Sequence, residues 1–141
     1  MIKTRFFPAL VLIFALSEAQ AGDVVVIGHA GMDKLDAVTV QRIFTGKLIK
    51  VGGVDVTAVN VKPSSLRNHF LQTFLNQNDE KYTAYWTIRH FVGKGAPPIE
   101  LPSAAEVIKF VQSTPGAIGY IDEDDVVPEV NVLVRKDGER K

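Results

Sequence analysis

Short β-branched runs alternate along this chain with segments whose apolar residues recur every three or four positions. Val24-Val25-Val26-Ile27, ending at Gly28, shows no polar alternation, which is the mark of a strand buried on both faces. Asp36 then precedes Ala37, Val40, Ile43 and Phe44 on one helical face, and Gly46 stops that helix. Gly52-Gly53 is a turn, and Val54 to Val61 reads as a strand with apolar residues on both faces. Pro63-Ser64-Ser65 opens a helix that turns Leu66, Phe70, Leu71, Phe74 and Leu75 inward. Asp79 starts another, with Tyr82, Tyr85, Trp86 and Arg89 at helical spacing, and residues 93–98 form a Gly/Pro loop.

The clearest unit comes next. Ser103 and Glu106 form an S-x-x-E capping box, and Ala104, Val107, Ile108 and Val111 make one apolar stripe. Pro115-Gly116 ends the helix, and Ala117 to Ile121 reads as a buried strand. Asp122 to Asp125 is an acidic turn, Val130 to Val134 a last strand, and the tail from Arg135 is charged. Strands alternating with helices, several of them apolar on both faces, predict an α/β fold with a mostly parallel sheet flanked by helices. No repeat of 20–50 residues is visible.

The N-terminus carries a separate signal. Lys3 and Arg5 precede an apolar stretch from Phe6 to Leu16, and Ala19-Gln20-Ala21 is a small-x-small site. This pattern predicts a signal peptide over residues 1–21, cleaved near Ala21, and hence a periplasmic or secreted protein not inserted in a membrane after cleavage. Its apolar stretch is short of the ~20 residues a spanning helix needs. The mature chain, about 120 residues, suits one domain with one core. The 141-residue chain has 16 basic and 16 acidic residues. A leader holding Lys3, Arg5 and Glu18 leaves that balance near neutral, which gives no footing for nucleic acid. There is no Cys, so no disulfide supports the fold.

Candidate chemistry gathers at residues 60–67. A helix start leaves backbone N–H groups unpaired and carries partial positive charge, which suits an anion. Ser64 and Ser65 add hydroxyls, and Lys62 and Arg67 add cations. An ordinary N-cap at Ser64 with solvated Lys62 and Arg67 accounts for the same residues and is the commoner use of such a start. Gly28-His29-Ala30-Gly31, after the first strand, is a second candidate loop, or a turn only. His29, His69 and His90 lack metal-ligand spacing, and Asp122-Glu123-Asp124-Asp125 lacks the glycine-bearing calcium-loop pattern. Tyr82, Tyr85 and Trp86 are explained by core packing. No nucleophile–base set is visible, so neither an enzyme, a metal nor a cofactor is predicted.

Three segments then line up in order: Gln41-Arg42-Ile43-Phe44-Thr45-Gly46-Lys47, Ser64-Ser65-Leu66-Arg67-Asn68-His69-Phe70, and Pro115-Gly116-Ala117-Ile118-Gly119-Tyr120. With Trp86 and Phe91-Val92-Gly93 between the last two, the set resembles the phosphate-binding proteins of ABC transporters, in the type 2 periplasmic binding-protein superfamily. The resemblance implies one lobe of that fold over residues 22–135, with a charged tail at 136–141. It also implies an exported domain that binds phosphate or a similar oxyanion weakly, for ABC-type transport or its modulation, with a permease as partner. The family's Arg falls at Asn60, its Ser at Ser64, its Gly at Ser65 and its Thr at Leu66, so only the Ser survives. Asn60, Lys62, Ser64, Ser65 and Arg67, with Gly28 and His29, are therefore the expected ligand-binding residues. The alternative is a non-transport envelope module that has lost its ligand and self-associates or docks on an envelope partner.

Overall fold

The computed structural model describes residues 22–135, so the predicted leader and the tail at 136–141 lie outside the described residues. The elements in chain order are β1 (Val24–Gly28), α1 (Ala37–Phe44), β2 (Lys50–Val51), β3 (Val54–Asp55), β4 (Thr57–Val61), α2 (Ser65–Phe70), α3 (Asp79–Phe91), β5 (Ile99–Leu101), α4 (Ala104–Ser113), β6 (Ala117–Asp122) and β7 (Asn131–Arg135). One turn of π-helix, Leu71–Leu75, continues α2, and a 3₁₀ turn, Glu123–Asp125, comes after β6.

The main sheet has the order β5-β4-β6-β1-β7. β4 lies parallel to β5 and β6, whereas β1 runs antiparallel to both β6 and β7. Four strands therefore share one direction and β1 opposes them, which is the α/β arrangement expected. The reversal of β1 leaves no mark in sequence, because all five of its residues are buried whichever way it runs.

The predicted stretch from Val54 to Val61 divides in two. Val54–Asp55 pairs with Lys50–Val51 in a small hairpin, and Thr57–Val61 joins the main sheet. Val56 marks the change, its N–H donating to Ile49 O while that of Thr57 donates to Gly116 O. β5 was not expected at all. It is three residues long with a charged residue at its centre, too short to carry a period.

Local capping agrees with the sequence. Asp36, Ser64 and Ser103 accept hydrogen bonds from Thr39, Arg67 and Glu106 N–H. The helix expected to begin at Asp79 is capped by Asn78, which accepts from Lys81 N–H. Asn76 ends the π-turn in the left-handed region, at φ 53°.

The core lies between the sheet and its helices, with α1, α2 and α3 contributing most of the aromatic residues and α4 packing Val107 and Val111 against β6. Phe70 stacks on Tyr120 with ring centroids 3.8 Å apart, and Phe44 packs 4.7 Å from Phe70. α3 also clasps the end of α1. Tyr82 Oη and Trp86 Nε1 both donate to Phe44 O, Tyr85 Oη donates to Thr45 O, and Arg89 Nη2 donates to Gly46 O. Carbonyls at a helix end, otherwise left without partners, are thus satisfied by side chains 38–43 residues further on.

Candidate functional site

The two candidate loops lie at opposite ends of the sheet. Ser64 comes after the C-terminal end of β4. Gly28 pairs with Ile118, and His29 N–H donates to Ala117 O, both at the N-terminal end of β6. Because β1 is the reversed strand, its C-terminus does not share an edge with those of β4 and β6. His29 Nδ1 sits 2.9 Å from Val111 O, and Asn131 Nδ2 donates to the carbonyls of His29 and Met32, so this loop is tied to its neighbours.

Around residues 60–67 the side chains take different roles. Ser64 Oγ caps α2. Ser65 and Lys62 are exposed, and Lys62 N–H donates to Leu101 O, prolonging the β4–β5 pairing. Asn60 is 1% exposed and sits inside a closed network. Its Nδ2 donates to Tyr82 Oη at 3.1 Å, and its Oδ1 accepts from Tyr120 Oη at 3.0 Å. Tyr120 Oη in turn accepts from Val61 N–H at 3.2 Å. Burial pushes the Tyr82 and Tyr120 phenols above their ordinary values, which keeps both as neutral donors.

Arg67 departs furthest from its expected role. It is 4% exposed rather than solvated. Nε donates to Asp79 at 2.7 Å, and Nη1 donates to Glu100 at 2.7 Å and to Val61 O at 3.2 Å. Its guanidinium lies over the Tyr82 ring, 5.6 Å from the centroid. Burial alone would depress its pKa, but the Glu100 hydrogen bond and the Asp79 charge outweigh that, so the pKa is raised and Arg67 stays charged. Two carboxylates thus answer one guanidinium, and the cluster carries a net negative charge.

An open cleft of about 370 Å³ lies over this cluster, between α3 and the strand ends. Asn60, Arg67 and Glu100 form its polar part, and Tyr82, Trp86, Phe91, Pro97 and Pro98 give it apolar walls, with Thr83, Thr87 and His90 completing it. The three guanidinium N–H groups on Nε and Nη1 are occupied. Nη2 has no protein partner among the described residues. Thr83, Thr87 and Glu100 carry no signal in sequence that marks them for a site. Glu100 lies 33 residues from Arg67 in a strand the pattern does not predict, so no local spacing signals their pairing. Among the described residues no group of His, Asp and Glu is arranged to hold a metal. No helix among them is long and apolar enough to cross a membrane.

Neither a protein-family model nor a curated protein sequence matches this chain. Solved structures do. An ABC-type phosphate transport receptor from Vibrio cholerae superposes with a TM-score of 0.61 at 18% identity, over 79% of this chain and 45% of that one. The fold is that of part of a phosphate-transport receptor. PstS from Borrelia burgdorferi gives a TM-score of 0.58 at 19% identity, over 79% of this chain and 46% of its own. A putative phosphate ABC transporter substrate-binding protein from Clostridium perfringens, solved with bound phosphate, gives 0.54 at 20%, over 79% and 44%. The resemblance read from the three ordered segments is met again in three dimensions, and the chain spans less than half the length of each of these structures.

Proposed function

We propose that this chain is a single-lobe relative of the phosphate-type binding proteins, exported to the periplasm or outside the cell, that captures a small solute in the cleft between α3 and β5. In that role it delivers solute to a transporter of the ABC type or modulates one. One observation carries the reading: Arg67, buried and held rigidly by Asp79, Val61 and Glu100, lines the cleft with Nη2 unspent. Such a pre-set donor under apolar walls is the pattern of a small-molecule site. Phosphate is bound in the Clostridium perfringens structure and is the first solute to test. The carboxylates on Arg67 and the Asn at position 60 support weak oxyanion binding at most.

The test is a ligand-observed NMR screen of the purified protein against phosphate, sulfate and a set of small organic fragments. Hits should bind the wild type and lose their signal in Thr87→Trp, which fills the cleft from α3. An absence of hits, or hits that T87W leaves unchanged, would overturn the reading.

A second observation favours the interaction module. The end of α3 and its C-cap expose Ile88 and Val92, and Phe91 is 89% exposed. If this surface mediates self-association, sedimentation will show a concentration-dependent dimer that Phe91→Asp abolishes. A monomer at every concentration removes self-association.

A further inference from the structure

We infer that the solute taken by the cleft has an uncharged, carbonyl-type acceptor head on an apolar ring or branched body, rather than the anionic head of phosphate. This rests on the cleft being the binding site, as proposed above, and concerns which chemistry it selects.

The head group is set by Arg67. A guanidinium has five N–H donors in a fixed fork. Nε–H and both Nη1 hydrogens are committed to Asp79, Glu100 and Val61 O, which leaves the two hydrogens of Nη2. Arg67 lines the cleft and Nη2 is not among the buried atoms left without a partner, so it is open to solvent and a ligand acceptor on it would take the place of water.

Charge then decides which acceptor. Asp79 and Glu100 both lie 2.7 Å from Arg67, and their side chains are only 32% and 45% exposed. Their summed charge exceeds that of the guanidinium. Glu100 itself lines the cleft, so an anionic head on Nη2 would meet a carboxylate across the same guanidinium. His90, also on the cleft wall, has its Nδ1 3.2 Å from Gly95 O. A cationic head would gain from Glu100 but would place positive charge against Nη2. A neutral carbonyl accepts from Nη2 without either conflict. The rest of the cleft is apolar. Trp86, Phe91, Pro97 and Pro98 offer flat or rigid surfaces to a body of ring size.

Three probes share one ring and differ in head: benzamide, benzoate and benzylamine. Trp86 is the chain's single tryptophan and lines the cleft, so its fluorescence reports occupancy without a label. In the wild type, benzamide should give a saturable change at millimolar concentration, with benzoate and benzylamine each at least about threefold weaker. Glu100→Gln removes the half-exposed charge and leaves Asp79 paired with Arg67. It should raise the affinity for benzoate relative to that for benzamide by roughly three- to tenfold, whatever it does to both together. Benzoate or benzylamine binding as tightly as benzamide in the wild type would overturn the head-group inference while leaving the cleft as a site. No response of Trp86 to any of the three, up to their solubility limits, would overturn the site and the inference together.

Discussion

Tyr120→Phe removes one oxygen from the centre of the molecule and should be far more costly than its size suggests. The ring is retained, so its stack on Phe70 at 3.8 Å survives. What is lost is the phenol oxygen that accepts from Val61 N–H and donates to Asn60 Oδ1. Both partners are buried, and nothing else among the described residues reaches either atom to replace it. An unsatisfied buried group costs about 1–3 kcal/mol, so two orphans set a loss of roughly 2–6 kcal/mol. Tyr82→Phe is the control. Tyr82 Oη donates to Phe44 O, which keeps its bond from Trp86 Nε1, so only Asn60 Nδ2 loses its partner. One orphan predicts about 1–3 kcal/mol. Urea denaturation followed by far-ultraviolet circular dichroism gives both values, with unchanged m-values as the check on two-state behaviour. If Tyr120→Phe costs less than Tyr82→Phe, or less than about 0.5 kcal/mol, the network is not the buried, fully satisfied unit described here.

Other consequences are narrower. Gly31 and Gly116 both adopt positive φ, +85° and +77°, but an added Cβ at Gly31 meets nothing, whereas at Gly116 it runs into the backbone carbonyl of Asp55. Gly31→Ala should therefore lose about 1–2 kcal/mol by the same denaturation measurement, and Gly116→Ala clearly more. Asp122 has a raised pKa, first from burial and then from the charges of Asp125 and Asp124, and its Oδ1 is buried with no partner. For a carboxyl raised on folding, the native state binds the extra proton, so stability falls as pH rises from the unfolded value, 3.8, through the folded one. Asp122→Asn should raise the urea midpoint at pH 7 and leave it nearly unchanged at pH 3; an equal shift at both would assign the effect to packing.

Much of this scaffold is legible from the chain. Asp36, Ser64 and Ser103 are local capping signals, and each caps the helix it announces. Val24 to Ile27 and Ala117 to Ile121 are buried strands, as unbroken apolar runs should be. Pairing is another matter. The reversal of β1 and the break at Val56 depend on which strand lies alongside, and no period encodes a neighbour. The candidate site was legible in part for the same reason. Ser64 could be placed as a cap because its partner is three residues away. Arg67 could not, since Asp79 and Glu100 reach it from 12 and 33 residues along the chain. A cation read as free in sequence is a paired structural anchor once the chain folds, and Thr83, Thr87, Pro97, Pro98 and Glu100, which complete the cleft above it, carry no motif.

The exchange behaviour of the Arg67 guanidinium tests this arrangement most directly. Nitrogen-15 NMR of the arginine side chains at low temperature should show one residue, assigned as Arg67 by the Arg67→Lys variant, with protected Nε and Nη1 hydrogens and rapidly exchanging Nη2 hydrogens. On adding benzamide, the Nη2 resonance of that residue should shift and the other two should hold. A guanidinium whose hydrogens all exchange at the rate of a solvated arginine would contradict the anchor and, with it, the cleft as a binding site.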